Sequence, residues 1–201
     1  MSLVDWFRRS GSKVLILPDR IWIGERAKYA GIAREAAGAL GSNDPPSAVF
    51  LVAHFPAVRA ALEETAERAG LDRRVVRSFL AMDWKGQVGE GSEAGSTALI
   101  IVGERHPLQL YDEAIVEAAG NASNRCRLRF HLSLDDPLMR RLSDEWVGNL
   151  LKRLGMTEEK PIESNLISRR FKVAQKKLAV RCASDLPADS SGKWLELNCP
   201  G

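Results

Sequence analysis

With 201 residues, 45% of them hydrophobic and 27% charged, the chain is sized for one large globular domain with or without a terminal extension. A net charge of +3 and a pI near 8.9 are too mild to claim nucleic acid, which asks for a clustered basic patch. No apolar run reaches the 18 or so residues of a membrane span. The three cysteines, Cys126, Cys182 and Cys199, are odd in number and widely spaced. They suggest neither a disulfide framework nor a metal site, and so a reducing interior. The opening "MSLVDWFRRSGSK" has no apolar signal-peptide stretch, so a cytoplasmic protein is expected, with at most peripheral membrane contact.

Residues 1–12 read as a disordered or appended start. "KVLIL" (13–17) is a short strand, broken by Pro18. "ERAKYAGIAREAAGAL" (25–40) is helical and closes at Gly41, before the loop "SNDPPS". "AVFLVAHF" (48–55) is a buried strand. Pro56 then opens a helix carrying Val58, Leu62, Thr65, Ala66 and Ala69 on one face, and Gly70 stops it. "RVVRSFLAM" (74–82) is a strand, residues 84–96 a glycine-rich loop, and "TALIIVG" (97–103) the clearest strand of all. Pro107 precedes a helix with Leu108, Tyr111, Ile115 and Ala118 on one face, and "CRLRFHLSL" (126–134) alternates as a strand should. Helices follow at about 136–142, 143–154 and 162–182, and residues 184–201 read as a flexible tail. The expected fold class is α/β: a three-layer α/β/α domain over 13–154 with a mostly parallel sheet, and a helical C-terminal annex over 155–183.

The run "FHLSLDDPLMRRL" (130–142), followed by "LGM", "PIE" and "AQKK" in that order, resembles the end of the second nucleotide-binding domain of SecA, the preprotein translocase ATPase. "DRIWIGERAKYAGI" (19–32), "AVFLVAHF" and "VGERHPLQLYDEA" (102–114) extend the likeness upstream. The resemblance implies a RecA-like, P-loop NTPase-type fold. In that family the "DNQLRGRSGRQGD" motif supplies arginines to a nucleotide held by a neighbouring domain, where they stabilise charge on the transferred phosphoryl group. Aligned from Asp112 without a gap, the three arginine positions become Val116, Ala118 and Asn121, none of which can carry positive charge. No G-x-x-x-x-G-K-[ST] loop occurs, and Glu90 and Glu93 in "GEGSEAGST" (89–97) would repel phosphate.

The resemblance therefore implies a kept fold with lost catalysis: no catalytic residue, no cofactor and no metal. It suggests a protein-binding or regulatory module linked to preprotein translocation. The alternative is a subunit that completes a composite ATPase with a partner supplying the phosphate loop; a small-molecule binder is a third, weaker reading. Other candidates have blander readings beside them. Arg125, Arg127 and Arg129 fall on one side of their strand, as a basic ladder or an exposed face near an edge. His54 and His131 end strands and could converge at the carboxyl edge of the sheet, or stand apart as satisfied or exposed histidines. Asp135 and Asp136, with Ser133, read as helix caps rather than an acid/base couple. The partner, another protein or a second copy, is expected on the helix from Ile162 to Cys182. It carries one stripe of Ile167, Phe171, Ala174 and Leu178, and another of Ile162, Leu166, Val173 and Val180.

Overall fold

The computed structural model describes residues 13–84, 96–142, 155, 157–163 and 165–199, with only the backbone for residues 142, 165 and 166. The N-terminal stretch 1–12, the loop over 85–95 and the helix expected at 143–154 lie outside the described residues.

The aliphatic runs become strands because both of their faces are covered. β3 (Ala48–Ala53) is buried at every position, and β5 (Thr97–Val102) at all but its first. Such continuous apolar strands belong in the middle of a parallel sheet. β3 pairs in parallel with β4 (Val76–Leu80) on one side and with β5 on the other, and β5 pairs in parallel with β6 (Arg125–Ser133). Beyond β6 the partner is a strand in two pieces. β1 (Val14–Ile16) lies along Cys126–Leu128, and β2 (Arg20–Trp22) along His131–Ser133, both parallel. Pro18 sits between them, where a missing N–H interrupts the ladder. The order is β4-β3-β5-β6-β2-β7, with β7 (Ile162–Glu163) antiparallel to β2 at the far edge.

Side-chain alternation sends Val49, Leu51, Leu99 and Ile101 to one face, onto Ile32 and Ala36 of α1 (Glu25–Leu40) and Val58 and Leu62 of α2 (Pro56–Arg68). Phe50, Val52, Ile100, Leu128 and Phe130 point to the other, onto Ile115, Val116 and Ala119 of α3 (Gln109–Gly120) and onto Trp84. The result is a mostly parallel α/β domain with a helical C-terminal region. Gly31 is required where α1 crosses β2, since a Cβ there would fall 2.0 Å from the Trp22 ring. Gly70 ends α2 with φ +65°, a left-handed backbone that only glycine adopts without strain.

Four expectations are corrected. Ile162 and Glu163 pair with Ile21 and Arg20 as a strand, and the long helix, α5, runs only Asn165–Arg181. The Arg125/127/129 strand is not at an edge: β6 is interior, and Arg129 is buried against Glu35 and Glu163. Residues 184–199 are not loose. They form α6 (Ser191–Asn198), whose Trp194 and Leu195 are buried against Phe55 and Leu108. Cys182 and Cys199 are joined in a disulfide, leaving Cys126 as the free, buried cysteine. The spacing of two cysteines says nothing about a bond that the packing of α6 brings together. After β6, α4 (Pro137–Leu142) packs against α6.

Candidate functional site

Open α/β sheets place ligands at the carboxyl ends of their strands. Here that edge collects the turn after β5, "GERH" (103–106), together with His54 after β3, Asp19 before β2 and Asp136 after β6. Arg105 is buried. Its Nε and Nη2 hold the Asp19 carboxylate at 2.8 to 3.0 Å and its Nη1 holds Asp112 Oδ2 at 2.9 Å, while the guanidinium lies 4.0 Å over the Phe130 ring. Asp112, buried in the first turn of α3, also accepts from His54 Nε2 (2.9 Å), the His106 backbone N–H (3.0 Å) and Gln175 Nε2 of α5 (2.8 Å). Burial alone would raise its pKa. The His54 hydrogen bond and the Arg105 charge outweigh burial and hold it at about 2.

His106 sits in an aromatic box of Phe55, Tyr111 and Trp194, with His54 edge-on. Its Nδ1 accepts from Leu108 N–H at 3.0 Å and its carbonyl accepts from Gln175 at 2.7 Å. Burial, with His54 beside it, pushes its pKa down to about 3, so the ring is neutral. Glu104 is moved the other way: burial raises it to about 8 despite nearby Lys28, and its buried Oε1 has no hydrogen-bond partner. Lys28, buried in α1, donates to Asp136 Oδ1 at 2.6 Å, and Asp136 also accepts from Ser133 N–H (2.8 Å) and Oγ (2.9 Å). Asp136 stands at the N-cap position of α4, its carbonyl accepting from Arg140 N–H at 2.9 Å, while its carboxylate serves as the counter-ion of a buried lysine. Asp135 caps a different helix, through the Glu25 backbone N–H of α1 at 3.1 Å.

His54 and His131 do not share a site. Trp22 Nε1–H donates to His131 Nδ1 at 3.1 Å, which fixes the neutral tautomer and leaves Nε2–H to donate to Glu35 at 2.8 Å. Arg20 and Arg129 complete that second network around Glu35 and Glu163. Among the described residues, no group of three or more His, Cys, Asp and Glu could hold a metal ion.

The edge is roofed by the chain itself. Cys182 and Cys199 clip α6 to the end of α5. Trp194 Nε1 donates to Asp185 at 3.0 Å, and Asn198 pins residues 184–186 through its side-chain amide. The carbonyl of Asp189 accepts from Ala57 N–H at 3.0 Å, which occupies a donor at the start of α2 where an anion could otherwise sit. Val116 and Ala118 pack into the core around Phe50, and Asn121 is the C-cap of α3. On α5, Phe171 is buried and Ile167 and Leu178 are partly buried against Leu132, Leu138 and Met139, so the first stripe is spent within the chain. Of the second, Ile162 is partly buried in β7, Val173 and Val180 are exposed, and the side chain of Leu166 lies outside the described residues. A groove of about 370 Å³ beside edge strand β4, lined by Glu63, Glu67, Arg73, Arg77 and Phe79, lies apart from the Arg105 and Glu35 networks.

Sequence reasoning missed Asp19, Lys28, Arg105 and Gln175 as site residues. All four were in view: Asp19 and Lys28 lie in "DRIWIGERAKYAGI", Arg105 in "GERH" and Gln175 in "AQKK", and Arg105 and Gln175 meet at Asp112.

A family model, that of the SecA P-loop domain, matches residues 56–159. Curated relatives include the protein translocase subunit SecA of Koribacter versatilis, 49% identical over 78 residues, which are 38% of this chain and 8% of that protein. The SecA subunit of Legionella pneumophila is 35% identical over 113 residues (56% and 12%), and that of Bordetella petrii 32% over 119 residues (59% and 13%). The matched region thus spans 8% to 13% of the length of these relatives. Among solved structures, SulA from Pseudomonas aeruginosa overlays with a TM-score of 0.34 at 17% identity, over 59% of this chain and 98% of that one. That likeness is too slight to carry an argument.

Proposed function

The chain belongs to the SecA P-loop domain family, and from that premise we propose that it is a non-catalytic SecA-like module that binds a protein partner connected with preprotein translocation. The observation that supports this most is the fate of the three arginine positions. Val116 is buried, Ala118 is partly buried against the core and Asn121 is exposed at the end of α3, and none of the three can offer a positive charge to a phosphate. Arg105 and Lys28, both buried at the sheet's carboxyl edge, are already held by Asp19, Asp112 and Asp136, and Trp194 of α6 packs on the adjoining His106. A composite ATPase needs a free positive group from this side, and no observation favours that reading. Titration calorimetry with ATP and magnesium is expected to give no binding heat. Micromolar binding would overturn the proposal.

We place the module in the cytoplasm, and no helix among the described residues is long and apolar enough to cross a membrane. The Cys182–Cys199 bond is then one that a reducing compartment would challenge. Trapping free thiols in intact cells tests the placement: a permanently oxidised pair would speak for an oxidising compartment.

A further inference from the structure

We propose that the outward face of α5 is a docking surface for an acidic amphipathic helix of another protein. The inference deepens the partner-binding reading above and rests on it.

At 100° per residue, Val173 and Val180 stand seven positions apart and about 20° from one another, on the side of α5 opposite Phe171 and Leu178. The buried side is committed to the domain. The valines are not: Val173 is 54% exposed and Val180 87%. Arg169, Lys172 and Lys176 run along one flank of this ridge, and Arg170, Lys177 and Arg181 along the other. All six are exposed, none makes an ion pair with a described residue, and α5 contains no Asp or Glu. Elsewhere Arg68, Arg73 and Arg74 are exposed and paired, with Glu64, Glu67 and Asp72, while the exposed Arg26, Arg125 and Arg127, which make no ion pair with a described residue, lie on other elements. No other described element gathers six such cations on one face.

Charge decides the occupant. A second copy would set six positive groups against six, so this face repels itself and needs an anionic partner. A lipid surface offers negative charge, but interfacial helices hold on by burying large apolar groups. The two valines described on this face supply little of that, and Phe171 is already inside. Single-stranded nucleic acid wants aromatic platforms between the basic groups, and this face has none. A helix fits. Apolar side chains seven residues apart make the seam of a helix pair, and the flanking positions are where charge selects the partner. The expected ligand therefore carries apolar residues at seven-residue spacing, flanked by Asp and Glu.

The test uses the full chain and a designed helical peptide with leucines at seven-residue spacing and glutamates on both flanks. Binding is read by fluorescence anisotropy at low and at 0.5 M salt. Expected are micromolar affinity, a loss of at least tenfold in Val173→Asp and in Val180→Asp, and a similar loss in the triple variant Lys172→Glu, Lys176→Glu, Lys177→Glu. Arg74→Glu, on the far side of the sheet order, should change little. No binding, or binding indifferent to the α5 variants, overturns the proposal. So does preferential α5-dependent binding to phosphatidylglycerol vesicles or to a poly-dT oligonucleotide, or self-association that Val180→Asp abolishes. ATP binding, read separately by calorimetry, would sink the non-catalytic reading while leaving the peptide result standing.

Discussion

The carboxyl edge of the sheet and the outward face of α5 both gather charge, and they treat it in opposite ways. At the edge, Arg105 faces two carboxylates, Lys28 faces Asp136, and Asp112 takes four donors, all of them buried. On α5 six cations stand in water without a counter-ion among the described residues. A buried charge costs too much to leave unmatched, so its partners are built into the fold. An exposed charge costs little, so it can wait for a partner. Position in the fold, more than residue type, separates framework from recognition. Gln175 and Lys176, adjacent in the sequence, fall on either side of that division.

The strongest way to break the comparison is to remove the hub of the edge. Asp112→Ala leaves Arg105 one carboxylate short and strands His54, the His106 amide and Gln175. A loss of about 3–5 kcal/mol is expected in chemical denaturation. Lys176→Ala, on the other face, should stay within about 0.5 kcal/mol of the parent. Equal effects from the two would erase the distinction.

The disulfide comes next. It joins Cys182 and Cys199, 17 positions apart in the sequence, and opening it should cost about 3 kcal/mol if the cross-link acts mainly on the unfolded chain. Cys199→Ser and reduction should give the same loss. Tryptophan emission should shift to the red as Trp194 leaves the box around His106. An unchanged midpoint and spectrum would mean that α6 stays docked without its clip.

A third test uses pH. Glu104 carries a pKa raised to about 8 by burial, against 4.5 for the free group. The folded chain therefore holds a proton that the unfolded chain has lost between those values. Its contribution to stability is complete below about pH 4.5 and declines as pH rises through 8. From pH 5.5 to 7.5 the parent should lose about 2 kcal/mol relative to Glu104→Gln, which has no proton to give up. His106 works in the opposite sense: held at about 3, it stays neutral where the unfolded ring would charge, so its share of stability is lost as pH falls from 6.5 toward 3. Comparing each pH with the glutamine variant isolates Glu104. A flat difference would mean that Glu104 is already solvated.

The sequence was legible where an element is decided by its own residues. β3 and β5 are unbroken aliphatic runs covered on both faces, and Pro56 and Gly70 bracket α2, so these stood out from local pattern. What escaped was decided by distant residues. β7 is two residues long and exists because Arg20 and Ile21 pair with it. Arg129 is inside because Glu35 and Glu163 come to meet it from α1 and β7. Pro137 marks Asp136 as the start of α4, but nothing local shows that its carboxylate pairs with Lys28, 108 positions away. The docking of residues 184–199 was hidden by their Ser, Pro and Asp content, although Ser190 does cap α6 and Trp194 and Leu195 supply its buried face.

The smallest expected effect is the most direct probe of the open face. Six cations within one helix of 17 residues repel one another, and nothing described on α5 offsets them. Lysines and arginines one turn apart cost tenths of a kcal/mol each at low salt. Lys172→Gln with Lys176→Gln relieves one such pair on a single flank, so the double variant should be more stable than the parent by a few tenths of a kcal/mol in 10 mM buffer. Salt does the same work by screening, because the Debye length shrinks to about 3 Å at 1 M. Adding salt should therefore close the gap between the two proteins. The Arg105 network, out of reach of the solvent, should not respond. Thermal midpoints measured across a salt series decide the matter: a gap that persists at 1 M would mean that the lysines act through packing rather than through charge, and the open face would lose its electrostatic meaning.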